Sequence, residues 1–281
     1  MSDAGLIEVK DAGRRFWDAN PCGGQWRSYR EFLQWLRRTE PYVYEVLDRH
    51  DWTGKRVLDV GCGQGPVLNH LASRGADAVG IEMSAASASR ALAGADELQQ
   101  RGRVHASVAD AERLPFAAGT FDAAVSFGVL HHTPDTARAI DEIRRVVRPG
   151  GVVIVMLYRR GNPKWWATST ARTLSAAVDR LSGTRATIAD RIRARHQVND
   201  SRGTALLELF GVPTLQAFSN RQMRRLFLGF EQVRIRNYSP GFRRLADLAP
   251  ALRRVEPLLE GIDRRFEQAF GFYQVAEARR R

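Results

Sequence analysis

The residues best suited to do chemistry in this chain lie in one short segment, Val57–Gly65, which reads VLDVGCGQG. An apolar run typical of a buried strand leads into three glycines, and a helical pattern follows. Glycines let the backbone turn sharply and approach a ligand, because no Cβ atom stands in the way. The following helix offers free amide groups and the positive end of its dipole. The segment therefore predicts a ligand-binding loop at the end of a strand.

The spacing of these glycines differs from the dinucleotide-binding pattern G-x-G-x-x-G. The third glycine, Gly65, comes one residue early, and Pro66 occupies the place of the pattern's last glycine. Asp59, two residues before Gly61, would face a diphosphate poorly, but its carboxylate suits a ligand that carries an ammonium group. The loop therefore favours S-adenosylmethionine (SAM), whose methionine part has an ammonium group, over NAD.

Two more acidic residues follow the next two predicted strands. Glu82 ends the second strand, where a carboxylate can accept hydrogen bonds from ribose hydroxyls, and Met83 can lie against an adenine ring. Asp110 follows the third strand and can accept from an adenine amino group. Each acid alone is also typical of a loop or a helix cap, but three at successive strand ends indicate one site.

The chain resembles the class I SAM-dependent methyltransferases in five motifs, which occur in the family's order. They are VLDVGCGQG (57–65), IEMS (81–84), DAERLPF (110–116), TFDAAVSFGVLHHTPD (120–135) and RVVRPGG (145–151). The most similar group is the ubiquinone/menaquinone-biosynthesis-like (methyltransferase type 11) group, which acts on small molecules. The resemblance covers about residues 55–158. It implies SAM as cofactor and S-adenosylhomocysteine (SAH) as its product.

The resemblance also implies a role in cofactor binding for nine residues. They are Asp59, Gly61 and Gly63 for the methionine part, Glu82 for the ribose, Met83 beside the adenine, Asp110 and Ala111 at the adenine edge, and Ser126 and Phe127 beside the sulfonium. No metal site is expected, because the histidines lack carboxylate or cysteine neighbours at ligand spacing.

His131 and His132 lie just past the fourth predicted strand, where the methyl group of the cofactor should point. Methyl transfer from a sulfonium needs mainly alignment, with a base where the acceptor is a hydroxyl. A histidine suits that base, because its pKa lies near neutrality. Tyr158, at the end of the fifth strand, is an alternative polar group. The sequence leaves open a second interpretation, in which the histidines only cap the next helix or brace the loop.

These residues require a sheet whose strands all end at one edge. Buried strands alternate with helices, which predicts an α/β fold with a largely parallel sheet and helices on both faces. The first five strands are predicted over residues 55–60, 77–82, 103–108, 121–127 and 151–158, and two later ones over 231–238 and 272–278. Together with the resemblance, this predicts a Rossmann-like sheet of seven strands with the last strand antiparallel.

The predicted divisions of the chain are a helical N-terminal cap (1–50), a SAM-binding core (51–160), a helical insertion (161–215) and the remaining core elements (216–281). The insertion either roofs the acceptor pocket at the carboxyl edge of the sheet or is a decoration without a role in binding; the sequence favours neither. Helical roofs enclose small acceptors and exclude water.

The charge of the chain is distributed unevenly. The net charge is +12; residues 1–160 hold 21 basic and 20 acidic residues, a net of +1, and residues 161–281 hold 22 and 11, a net of +11. This excess either reflects arginine-rich, solvated helix faces or indicates an anionic partner. The N-terminus lacks the apolar segment of a signal peptide, and no run is long enough to span a bilayer. We therefore expect a cytoplasmic protein.

The expected function is SAM-dependent methyl transfer, to oxygen or carbon, on a small-molecule biosynthetic intermediate; an anionic acceptor would suit the positive charge of the chain. One alternative is an RNA methyltransferase that uses the basic second part of the chain. Nucleic acid is the less favoured partner, because the sequence shows neither an added RNA-binding module nor an (N/D)PPY-type string after the fourth strand. Another alternative is a SAM-binding protein or cyclase that transfers no methyl group. The sequence does not indicate the oligomeric state.

Overall fold

The computed structural model describes residues 3–21, 26–182, 211–241 and 254–281. The strands are β1 (Arg56–Val60), β2 (Asp77–Glu82), β3 (Val104–Val108), β4 (Phe121–Phe127), β5 (Val147–Tyr158), β6 (Phe230–Tyr238) and β7 (Tyr273–Arg280). The α-helices are α1 (Asp3–Ala19), α2 (Tyr29–Thr39), α3 (Pro41–Leu47), α4 (Pro66–Ser73), α5 (Ala85–Glu97), α6 (Thr136–Val146), α7 (Pro163–Ser182), α8 (Asn220–Leu226) and α9 (Glu256–Phe270). The predicted insertion therefore falls partly outside the described residues, over 183–210, as does the first part of a helix predicted over 245–270.

The seven strands form one sheet in the order β3-β2-β1-β4-β5-β7-β6. Strands β1 to β5 are parallel, whereas β7 runs antiparallel to both of its neighbours. The strand order reverses at β1, which pairs with β2 on one side and β4 on the other. In open α/β sheets, ligands bind in the crevice beyond the carboxyl ends of strands at such a point. The predicted Rossmann-like sheet of seven strands is confirmed.

Both faces of the central strand β1 are covered, and its side chains alternate between two apolar clusters. Val57 packs with Leu68 and Leu71 of α4 on one face. Leu58 packs with residues of α6, among them Ile143, on the other face. Strands covered on both sides are apolar throughout, which explains the continuous apolar runs in the sequence.

Strand β5 differs from its predicted start at residue 151. It begins at Val147, and its pairing with β4 jumps from Phe121 with Val147 to Ala123 with Val152. The extra residues form an irregularity around Gly150, whose φ is +75°. A glycine tolerates this conformation without strain, so the Pro-Gly-Gly sequence interrupts the ladder there without ending the strand.

Candidate functional site

The glycine loop between β1 and α4 turns through three left-handed residues. The φ angles are +75° at Gly61, +54° at Gly63 and +80° at Gly65. A Cβ atom on Gly61 would collide with the side chain of Val129, whereas one on Gly63 would meet no atom within 4 Å. Gly61 therefore lets the loop pack against the segment after β4, and Gly63 leaves open space.

The carbonyl groups of this loop are held from behind. The Tyr29 hydroxyl on α2 donates to the carbonyl of Gln64 at 2.9 Å. The Asn69 amide donates to the Tyr29 oxygen at 3.0 Å and to the Gly65 carbonyl at 2.9 Å. Because Tyr29 comes from the N-terminal cap, the cap helps to fix the loop. The sequence suggested no such contact, since tyrosine on an aromatic helix face is usually a core residue.

Asp59 lies at the end of β1 with its side chain buried. Its Oδ2 has no hydrogen-bond partner among the described residues. Burial, followed by the nearby charge of Glu82, raises the pKa of Asp59 to about 8, and a hydrogen bond from the Leu68 amide acts in the opposite direction. Leu68 is the third residue of α4, where amides have no partner within the helix. A buried carboxylate oxygen without a partner fits the ammonium group of a ligand.

Glu82 is buried at the end of β2 and binds three backbone amides. Its Oε2 accepts from Gly63 at 3.0 Å, and its Oε1 accepts from Met83 at 2.8 Å and Ser84 at 3.0 Å. Burial nevertheless raises the pKa of Glu82. A carboxylate offers about four acceptor positions, so Glu82 can clamp the glycine loop and still accept from a ribose hydroxyl. Sequence reasoning gave only the ribose role.

Asp110 and Ala111 follow β3, and Met83 follows β2, at the same edge of the sheet. The Asp110 Oδ1 accepts from the Glu112 amide at 2.9 Å, and its Oδ2 lies 2.6 Å from Lys10 Nζ. Ala111 is buried. The predicted adenine-side residues thus lie together, with Lys10 of α1 beside them.

The end of β4 serves the sheet as well as the site. The Ser126 side chain is fully buried, and its hydroxyl donates to the Val60 carbonyl at 2.9 Å. This bond ties β4 to β1, so the Ser126 hydroxyl is already engaged. Phe127 is half-buried and packs against one of the two apolar clusters. Their predicted contact with a sulfonium stays a prediction.

The two histidines have different environments. His131 is fully buried, and neither ring nitrogen has a partner among the described residues. Its ring stacks on Tyr158 with centroids 3.7 Å apart. His132 is half-buried, and its Nδ1 lies 2.9 Å from the Thr214 carbonyl. The Nδ1 therefore carries the ring proton, which leaves Nε2 as an acceptor.

Both imidazoles are held neutral. Burial lowers the pKa of His132 to about 4, opposed by the bond to Thr214 and assisted by the charge of Arg172. Burial, and then the neighbouring His132, lower the pKa of His131 well below its ordinary value. The expected pKa near neutrality is therefore not found at either histidine. Both rings are unprotonated at neutral pH and can accept a proton, but they are weaker bases than an ordinary histidine.

Residues after the insertion hold this histidine turn in place. Gln216 donates its backbone amide to the His131 carbonyl at 2.9 Å and its side-chain amide to the Thr133 carbonyl at 2.7 Å. On α7, Arg172 donates to the carbonyl of Val212 at 3.1 Å. Sequence reasoning missed Arg172, Thr214 and Gln216, because bonds to backbone carbonyls leave no motif.

Aromatic rings surround the turn. Trp17 of α1 meets the His132 ring at 5.3 Å between centroids, and Phe272 lies 4.4 Å from Tyr158. Tyr158, predicted as an alternative polar group, is buried beneath His131. The site therefore combines neutral polar groups with apolar walls, as pockets for small organic ligands do.

The described residues lack two features that would indicate other kinds of function. No cluster of three or more histidine, cysteine, aspartate or glutamate side chains there is arranged to hold a metal ion. Within the same part of the chain, no helix is long and apolar enough to cross a membrane.

Comparison with known proteins places this geometry in context. Residues 58–155 match the family described as "Methyltransferase domain". A ubiquinone biosynthesis O-methyltransferase of Acinetobacter baylyi is 33% identical over 141 residues, which are 50% of this chain and 58% of that protein. The chain thus spans little more than half the length of this relative.

Two solved structures resemble the whole chain. The [4+2]-cyclase SpnF is 25% identical with a TM-score of 0.56, covering 97% of this chain and 96% of SpnF. Geranyl diphosphate C-methyltransferase of Streptomyces coelicolor, solved with Mg²⁺, geranyl diphosphate and SAH, is 17% identical with a TM-score of 0.59, covering 97% and 98%. At that identity, the second likeness concerns the fold alone.

Proposed function

We propose that this chain, whose residues 58–155 form a class I SAM-dependent methyltransferase domain, transfers a methyl group from SAM to a small-molecule acceptor. The recognition of that class from its motifs is confirmed by the domain match and by the fold. The acceptor, the atom methylated and the cytoplasmic location stay predictions.

One observation supports the cofactor assignment most directly. The buried Asp59 Oδ2 lacks a partner among the described residues and lies beside the glycine loop. A buried carboxyl oxygen without a partner costs free energy, so this atom favours a ligand group that donates hydrogen bonds, and the methionine ammonium of SAM is such a donor. When bound, SAM supplies an activated methyl group on a sulfonium.

The residues around that crevice divide the remaining work. Asp59 binds the ammonium, and Gly61 and Gly63 leave room for the methionine part. Glu82 accepts from the ribose, Met83 lies on the adenine, and Asp110 with Ala111 reads its edge. Ser126 and Phe127 line the end of β4 next to the sulfonium.

His132 is the proposed base for a hydroxyl acceptor. Its Nδ1 proton is donated to Thr214, and its Nε2 is free to take the hydroxyl proton. Its lowered pKa keeps this nitrogen unprotonated at neutral pH. His131 is fully buried against Tyr158 and is proposed to support the turn that presents His132 to the acceptor. This arrangement favours O-methylation over transfer to carbon.

The acceptor is proposed to be a small organic molecule with an apolar body. The walls that Trp17, Tyr158 and Phe272 form suit such a body, and the charge of Arg172 near His132 suits an anionic or polar substituent. The O-methyltransferase activity named for the bacterial relative is consistent with this class.

A second candidate function is a cyclisation without methyl transfer. It is favoured by the likeness to the [4+2]-cyclase SpnF over nearly the full length of both chains. Under this alternative, SAM or SAH binds in the same crevice but is not consumed. Formation of SAH in proportion to modified acceptor separates the two candidates.

The test is calorimetric titration of SAM and SAH into the wild type, Asp59→Asn and His132→Gln. We expect binding by the wild type and His132→Gln, and strongly weakened binding by Asp59→Asn, because only the last loses the carboxylate partner of the ammonium group. Incubation with a panel of hydroxylated aromatic acids then measures SAH formation, which His132→Gln should abolish. Absence of SAM binding by the wild type would overturn the proposal.

A further inference from the structure

Lys10, on the N-terminal helix α1, lies against the adenine side of the proposed cofactor site. Its Nζ is 2.6 Å from Asp110 Oδ2 and 2.5 Å from Glu112 Oε2. Although burial acts to lower the pKa of Lys10, the two carboxylates raise it above its ordinary value. The Glu112 side chain is 2% exposed, that of Lys10 is 24% exposed and that of Asp110 is 44% exposed. The Lys10–Glu112 pair is therefore mostly shielded from solvent, whereas Asp110 is open to it on one side.

Both carboxylates are also anchored to the core. Asp110 Oδ1 accepts from the Glu112 amide at 2.9 Å. Glu112 Oε1 accepts from the Asp135 amide, just before α6, at 2.8 Å. Lys10 thus supplies the cation for two carboxylates that are held in place. It lies on helix α1, 100 positions before Asp110 in the chain.

The same helix continues along the crevice. One turn after Lys10, a Cβ atom on Gly13 would lie 3.8 Å from Met83 Cε. Two turns after Lys10, Trp17 meets the ring of His132. Helix α1 therefore passes the predicted adenine face and reaches the histidine turn. A molecule in the crevice would be covered along its length by α1.

We propose that Lys10 is a cofactor-positioning residue, which orients the Asp110 carboxylate toward the adenine and holds α1 over the bound cofactor. This inference rests on the proposed function, because it requires the cofactor in this crevice. Since α1 covers the crevice, the bridge from Lys10 slows both the entry and the exit of the ligand.

Stopped-flow tryptophan fluorescence with SAH tests this assignment. Lys10→Met should accelerate SAH dissociation about tenfold or more, the size expected for loss of a charge-assisted hydrogen bond. Association should be equally fast or faster, because α1 is released. If Lys10→Met only distorted the binding site, the association of SAH would instead be slower than in the wild type. Lys10→Arg should restore most of the slow dissociation.

Arg14→Met is the matched control. Arg14 lies on the same helix, is exposed, and pairs with Asp11 within α1 at 3.0 Å. Its loss should leave both rate constants unchanged. If Lys10→Met fails to fold because Glu112 is left buried without a cation, the double variant with Glu112→Gln removes that charge and keeps Asp110.

If the rate constant of SAH dissociation from Lys10→Met equalled that of the wild type, the inference would be overturned. Tighter SAH binding would also overturn it, since Lys10 would then compete with the adenine for Asp110. Failure of the wild type to bind SAH contradicts the proposed function itself. That result is distinguishable, because it appears before any variant is compared.

Discussion

Single residues in the glycine loop have separable tasks. Gly61 and Gly63 share a left-handed backbone, but a side chain at Gly61 would collide with Val129 and one at Gly63 would point into open space. The first glycine is required by packing and the second by the proposed ligand. A substitution can therefore separate folding from binding.

We expect Gly63→Ala to lower the free energy of unfolding by about 1–2 kcal/mol, the cost of a left-handed non-glycine residue. Its affinity for SAH should fall much further, because the new methyl group occupies ligand space. Gly61→Ala should unfold at clearly lower denaturant concentration, since the clash with Val129 adds to the same strain. Urea titration and calorimetry measure both effects. Equal stability of the two variants would contradict this account.

Asp59 gives the site a pH dependence. Its pKa in the folded chain is raised to about 8, so the carboxyl is protonated in the free protein at pH 7. Binding of an ammonium group requires the ionised form, and SAH affinity should therefore rise between pH 6 and pH 8 with release of a proton. Calorimetry in buffers of different ionisation enthalpy measures that proton.

Asp59→Asn provides the control for this dependence. Without a titrating carboxyl, residual SAH binding should show no rise over this range. The raised pKa also means that Asp59 contributes stability below its ordinary pKa of 3.8, which is lost as pH rises through about 8. Without ligand, Asp59→Asn should therefore be at least as stable as the wild type at pH 8. A less stable variant would contradict the assigned protonation.

At the scale of elements, the N-terminal helices complete a site that the sheet alone leaves open. Helix α2 supplies Tyr29 behind the glycine loop, and α1 supplies Lys10 and Trp17 above it. Across the crevice, Thr214 at the end of the insertion and Gln216 just after it fix the histidine turn. Loops placed by a rigid scaffold are the usual location of such functional groups.

Tyr29→Phe and Tyr44→Phe form a matched pair that tests the role of α2. Both hydroxyls lie in the N-terminal helices, but Tyr29 bonds to the loop, whereas the Tyr44 hydroxyl has no hydrogen-bond partner among the described residues. Tyr29→Phe should cost about 1–3 kcal/mol of stability, as a buried carbonyl loses its donor, and should weaken SAH binding. Tyr44→Phe should change neither thermal unfolding nor affinity.

At the scale of the whole molecule, the positive charge and the crevice lead to different expectations about what the protein binds. Charge that serves nucleic acid gives binding that weakens steeply with salt. A crevice for a small molecule instead stabilises the fold when it is filled. The net charge of +12 therefore does not by itself identify a partner.

SAH at one hundred times its dissociation constant should stabilise the fold by about 2.7 kcal/mol. For a chain of this size, that corresponds to a rise in melting temperature of roughly 4–5 °C. Differential scanning calorimetry measures the rise. A single-stranded RNA oligonucleotide at the same concentration should produce none. Stabilisation by RNA that disappears with added salt would favour the RNA methyltransferase.

Patterns that are local in the chain were readable without a structure. Alternating apolar runs and helices predict the first five strands, and the glycine loop with its acids at strand ends predicts where a ligand would bind. These features follow from backbone geometry over a few neighbouring residues. The antiparallel direction of the last strand came from the family resemblance, because periodicity contains no information on strand direction. The position of β7 between β5 and β6 was not predicted and is a finding of the structure.

The contacts that complete the site were decided only by the tertiary structure. Lys10 meets Asp110, Tyr29 meets Gln64, and Thr214 meets His132 across 100, 35 and 82 positions of the chain. Burial likewise sets the pKa of Asp59 and holds both histidines neutral. Such effects depend on which groups the fold brings together and on how deeply it buries them. Neither the long-range contacts nor the burial leaves a periodic pattern or a motif in the sequence.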